Sequence, residues 1–214
     1  MTTSATSQAL KDFTIAMSDA QRLLALHKIK QGGKPTVPED VDAIKRGTLL
    51  LAVAAWETFI RDLLTERFHP YLNDAKSAQA FKEVLATVGK SWLASHKENA
   101  HEQLFTWTGN GWKKYVSDYF TDIVSKLYTP GPEKVKKVFR QFLNIDLVAA
   151  WSWNNYSHEQ ICETLDGLIR SRGEIAHKAP KRGEKPGKQF MTLPDLEKRL
   201  RFLEALAKNT EVAP

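Results

Sequence analysis

The chain has 214 residues, 42% of them hydrophobic, enough to bury one substantial core, and no shift of composition marks a linker between two domains. Its longest uncharged apolar stretch, Thr48 to Trp56, falls well short of the roughly 20 residues a membrane span needs, and its single cysteine, Cys162, excludes an internal disulfide. A net charge of +6, from 31 Lys and Arg against 25 Asp and Glu, favours a nucleic acid or another polyanion as partner.

Helical spacing dominates and no long segment alternates with period two, so the fold is expected to be all-α, a single-domain helical bundle of long antiparallel helices spanning 1–214. The first helix is predicted from about Ser7 to Lys30, with Leu10, Phe13, Met17, Leu24 and Leu26 inward, stopping at Gly32-Gly33. Its Lys11, Asp12, Asp19 and Arg22 do not follow the layout of a secretory signal, so a cytoplasmic location is expected. A second helix starts after Pro38, where Glu39 and Asp40 suit a first turn. It carries Leu49, Val53, Trp56, Ile60, Leu63 and Leu64 on one side up to Pro70. That length makes it the spine of the bundle.

A third helix is predicted over about Ala75 to Val88, followed by an irregular packed connection from Lys90 to Tyr115. Helical spacing resumes from about Val116 to Leu127. Pro130-Gly131-Pro132 then opens a helix with Val135, Val138, Phe139 and Phe142 on one side. Ser157 and Gln160 form a capping-box pattern before the next helix. The last helix, about 194–208, is predicted to be capped by Thr192 and to turn Leu196, Leu200, Leu203 and Leu206 inward, with a frayed "NTEVAP" tail behind it.

Several weak motifs are set aside. Gly89-Lys90-Ser91 lacks the upstream glycine of a phosphate loop, since Val84 stands there. His96 and His101 are five apart rather than four, with no cysteine partner, and make a poor metal site. Cys162 lies on an apolar side and reads as a small core residue. The tryptophans, Trp56, Trp107, Trp112, Trp151 and Trp153, alternate with apolar residues and read as core.

The informative stretch is "LIRSRGEIAHKAPKRGEKPGK". On a helix running from Ser157 to Ala179, Ile161, Leu165, Leu168, Ile175 and Ala176 form the apolar side, and Arg172 falls in its middle. A buried guanidinium there requires a carboxylate, a partner subunit or solvent. Five steps turn His177 about 140° away from Arg172, whereas Arg170, seven steps before it, shares its stripe. Gly173 and Pro180 are places where the helix is able to distort. Between Lys178 and Lys188 five basic residues, Lys178, Lys181, Arg182, Lys185 and Lys188, face only Glu184 in opposition.

"RGEIAH", Arg172 to His177, resembles the Arg-x4-His signature of the HEPN superfamily, which tolerates four to six intervening residues, so that Arg170 also fits. "AAWETFIRDLL", Ala54 to Leu64, is similar to the long helix of the RiboL-PSP group of HEPN domains, as is "PGPEKVKKVF". Gly173 departs from the polar residue, often Asn, Asp or His, that usually follows the motif arginine.

The resemblance implies a homodimer formed through the motif helix, with metal-independent and cofactor-free RNA cleavage in a cleft shared by two copies. His177 is the expected proton acceptor for a ribose 2′-hydroxyl. Arg172 or Arg170 would grip the phosphate. Glu57, Asp62 and Glu174 are the supporting carboxylates, with Glu57 or Asp62 orienting the arginine. The basic run, together with Lys134, Lys136, Lys137 and Arg140, would hold flanking phosphates of the RNA. A toxin or antiviral effector restrained by an antitoxin protein fits such an activity. The plainer readings are that His177 only caps its helix, that Arg172 pairs with Glu57 inside the fold, and that the chain is a catalytically inactive module binding RNA or protein.

Overall fold

The computed structural model describes residues 6–30, 38–98, 100–153, 156–177 and 191–213, and every long element among them is an α-helix, with no β-strand. In chain order these are α1 (Gln8–Lys30), α2 (Pro38–Asp74), α3 (Lys82–Ser95), α4 (Ala100–Gln103), α5 (Gly111–Ser125), α6 (Pro132–Leu143), α7 (His158–His177) and α8 (Leu193–Val212). Among the described residues no helix is long and apolar enough to cross a membrane.

At 37 residues α2 is roughly 55 Å long and is the spine against which the others pack. Helix α1 lies antiparallel to it. The Glu66 carboxylate accepts from the Gln8 and Ala9 amides at one end, Phe13 meets Phe59 at 5.3 Å, and Leu23 crowds Gly47 at the other end. The buried stripe of α1 is Ala9, Phe13, Met17, Ala20 and Leu24; Leu26 is half-exposed, because two steps past Leu24 turn it to the outer side. Helix α8 runs parallel to α2, since Arg67 Nη2 donates to the Glu211 carbonyl and Gln21 of α1 bonds Glu204.

Three element boundaries differ from expectation for identifiable reasons. Helix α2 continues through Pro70 to Asp74, because the extra turn seats Leu72 in the core and Tyr71 against Phe81. Helix α3 starts at Lys82 after a 3₁₀ turn and runs to Ser95, where Trp92 packs against Trp107. Helix α5 begins at Gly111 rather than near Val116, and only glycine fits there: a Cβ would stand 1.8 Å from the Thr106 carbonyl oxygen. The described part of the "NTEVAP" tail, 209–213, is not frayed. Thr210 is buried, and Glu211 accepts from both the amide and the hydroxyl of Ser7, so α8 stays helical to Val212.

One contiguous hydrophobic cluster joins α1, α2, α5, α6, α7 and α8, with Phe68 stacked on Phe120 at 3.7 Å near its middle. Trp56, Trp112 and Trp151 are buried in it, and Trp153 packs at its margin.

Candidate functional site

Helix α7 begins with the capping box read from the sequence: Ser157 Oγ accepts from the Gln160 amide, and Gln160 Oε1 accepts from the Ser157 amide. It then runs unbroken through Gly173 to His177. Ser171 on α7 faces Arg199 on α8, and Tyr156, just before α7, lies near Phe202 further along α8. The two helices are therefore antiparallel, and because α8 parallels α2, the motif-bearing end of α7 lies where α2 begins.

Ile161, Leu165 and Leu168 are fully buried, but from Ile169 to Ala176 no residue is. The last two turns of α7 have run past the core. For that reason Arg172 is half-buried rather than buried, while Arg170, Glu174 and Ala176 are exposed and Ile175 covers the margin of the core. Among the described residues neither Arg170 nor Arg172 has an ion-pair or hydrogen-bond partner, whereas Glu174 has a partner. An unbroken helix keeps Arg170 and the His177 backbone on one stripe and Arg172 about 140° away. The side chain of His177 and the residues Lys178, Lys181, Arg182, Lys185 and Lys188 lie outside the described residues.

Two of the expected supporting carboxylates are engaged elsewhere. Glu57 Oε2 accepts from the Thr129 amide at 2.9 Å, so no Glu57–Arg172 pair forms. Asp62 has Arg61, Asp12 and Glu66 as its charged neighbours, at the end of the bundle where α1 begins, and it does not orient an α7 arginine. Partial burial raises the Asp62 pKa first of all; Arg61 opposes this, and Asp12 and Glu66 add to it. With its folded value above the unfolded one, Asp62 lowers stability as pH rises out of the ordinary carboxylate range. Asp62→Asn is expected to raise the melting temperature slightly at pH 7, and thermal melts at about pH 3 should show that gain gone.

The turn held by Glu57 is built with unusual care. Thr129 adopts φ +45°, a left-handed conformation that costs a β-branched residue about 1–3 kcal/mol. Three side chains fix three successive residues: Lys134 Nζ donates to the Tyr128 carbonyl at 2.9 Å, Glu57 takes the Thr129 amide, and Trp56 Nε1 donates to the Pro130 carbonyl at 3.0 Å. Gly131 then lies so close to α7 that a Cβ would be 2.9 Å from Asp166 Oδ1. Nothing in the sequence pattern beyond the Pro-Gly-Pro break announced this turn.

One open groove borders α7, and a second lies along α6. Between α7 and α8 a cleft of about 580 Å³ is lined by Glu163, Gly167, Asp195, Lys198 and Arg199, and Arg199 Nη1 reaches Ser171 Oγ at 3.4 Å. Arg199 is a cation beside the motif that sequence reasoning missed, because its neighbour is 28 residues away in the chain. Between α3 and α6 a groove of about 970 Å³ carries Lys134, Lys136, Lys137 and Arg140. Asp146 pairs with Arg140 and Lys136 there, which leaves Lys134 and Lys137 as the less neutralised charges.

A family model described as RiboL-PSP-HEPN matches residues 16–212. The chain belongs to the RiboL-PSP-HEPN family. No curated protein and no solved structure matches it significantly. In this HEPN domain the match covers all of α2 through α8, so the Arg-x4-His motif at the end of α7 falls inside the family region. Cys162, four residues into α7 from its capped start, is no competing nucleophile: burial first, then Asp166, Glu133 and Glu159, push its thiol pKa up and disfavour the thiolate. His96 is likewise occupied, stacked on Trp92 at 4.7 Å with Nδ1 beside the Trp92 carbonyl.

Proposed function

We propose that this HEPN domain is an endoribonuclease whose site is completed when two copies bring their α7 ends together. The observation that carries the reading is the emergence of the motif from the core: Arg172 is only half-buried and has no partner among the described residues. A guanidinium withheld from internal pairing is available to an anion.

In the proposed reaction His177 accepts the proton of a ribose 2′-hydroxyl as its oxygen attacks the adjacent phosphorus. An imidazole, with an ordinary pKa of about 6.5, suits that task near neutral pH. Arg172 grips the non-bridging oxygens as charge builds on the phosphorane, with Arg170 on the outer stripe holding a neighbouring phosphate. The 5′-oxygen leaves as its bond to phosphorus breaks, and the second copy's His177 protonates it. The products are a 2′,3′-cyclic phosphate and a 5′-hydroxyl.

Lys134 and Lys137, with the basic run 178–188, supply further phosphate contacts, so RNA affinity should fall steeply with salt. A titration of labelled RNA at increasing salt checks this through the slope of log K against log salt. A toxin or antiviral effector is the setting such an activity fits. The reading is tested by incubating labelled RNA with wild-type protein and with His177→Ala. Cleavage by the first and not the second supports the enzyme; equal behaviour rejects the site.

A further inference from the structure

Tyr128 stands exposed on a turn whose backbone is held by three side chains, and the chemistry above makes no use of it. Its placement follows from its neighbours on α7. Gly131 abuts Asp166 and Ile169, while Glu133 and Lys136 lie beside Cys162, one turn earlier on α7. Helix α6 thus leads away from the motif, and the chain before Gly131 lies toward the motif-bearing end. Asp166 also begins the stripe that continues, at helical spacing, through Arg170 and Gly173 to His177.

At Gly173 the stripe is open, since a Cβ there would meet nothing within 4 Å. Tyr128 itself is 59% exposed, although its carbonyl and the next amide are both tied down by side chains. A β-branched residue such as Thr129 is held at positive φ only where its surroundings over-determine it, and such strain clusters at functional sites. The exposed phenol ring stands on a turn that lies toward the motif-bearing end of α7, and the Lys134 ammonium is tied to the same residue's carbonyl, so a flat apolar face and a cation share one short segment. That pairing of ring and cation is how single-stranded nucleic acid is held.

We propose that Tyr128 is a positioning residue that stacks on a base of single-stranded RNA entering the α7 site, and that the strained turn exists to present it. This rests on the ribonuclease reading, and the test separates the two. Binding is measured by fluorescence anisotropy with a labelled single-stranded RNA oligonucleotide on the His177→Ala background, and cleavage in the otherwise wild-type protein.

Tyr128→Ala is expected to weaken single-strand binding by roughly five- to a hundred-fold, while Tyr128→Trp retains it. The loss should appear mainly in KM, with the melting temperature unchanged. Duplex RNA, whose bases are already stacked, should show no such penalty. Tyr128→Ala that binds and cleaves single strands like its parent overturns the proposal and leaves the ribonuclease reading standing. An equal penalty on duplex overturns base stacking. A wild-type protein that neither binds nor cleaves RNA overturns both.

Discussion

Replacing His177 with alanine is expected to lower RNA cleavage by about 10²–10⁴-fold, the range over which a positioned general base contributes. The protein should remain folded, because the last turns of α7 lie beyond the buried Leu168 and no residue from Ile169 to Ala176 is in the core. Arg172→Ala should cost about 10²–10³-fold, as the loss of one anion-stabilising donor does. Arg170→Ala should cost less and act mainly on KM, since Arg170 is exposed on the outer stripe whereas Arg172 is half-buried. Single-turnover cleavage rates of the three variants, with melting curves as a control, check this order. A drop for Arg170→Ala larger than that for Arg172→Ala would move the phosphate grip to the outer stripe.

Trp56→Ala should produce the largest loss of stability among residues near the site. The indole is wholly buried, meets Trp151 edge-to-face at 6.0 Å and Phe59 at 5.8 Å, and donates to the Pro130 carbonyl. Truncating such a side chain costs about 3–5 kcal/mol through lost burial and the cavity left behind, against a total of about 5–15 kcal/mol for a typical domain. For a chain of this size that corresponds to a fall of roughly 6–20 °C in melting temperature. Trp56→Phe separates the two contributions: most of the volume stays, the buried carbonyl loses its donor, and about 1–3 kcal/mol should be lost. Both variants also release one of the three restraints on the Tyr128–Gly131 turn. Trp56→Phe should therefore weaken single-stranded RNA binding more than its stability change alone accounts for. Denaturant titration alongside the binding assay measures both.

Much of this architecture was legible because it depends on local periodicity and caps. The apolar spacing of Val135, Val138, Phe139 and Phe142 put those residues in the core, and Ser157 with Gln160 marked the start of α7 one residue from its observed position. Local signals failed where distant contacts decide. The helix runs past Pro70 because Leu72 finds the core, and the C-terminal tail stays ordered because Glu211 reaches Ser7 across nearly the whole chain. The site divides in the same way. Its motif is contiguous and readable, but the depth of Arg172 depends on where the core ends, which no helical wheel shows. The sequence suggests Glu57 as a partner of Arg172. In the structure the partner of Glu57 is a backbone amide in a strained turn, and such partners carry no sequence signature.

The central claim is that the exposed end of α7 supports cleavage through the substrate's own 2′-hydroxyl. The most direct measurement is to incubate the wild-type protein, in excess EDTA, with a labelled RNA and with the same RNA carrying a 2′-deoxy substitution at the scission point. The account predicts cleavage of the unmodified strand to a 2′,3′-cyclic phosphate end and an intact substituted strand. Cutting that ceases on chelation, or that proceeds equally at the deoxy position, would contradict it.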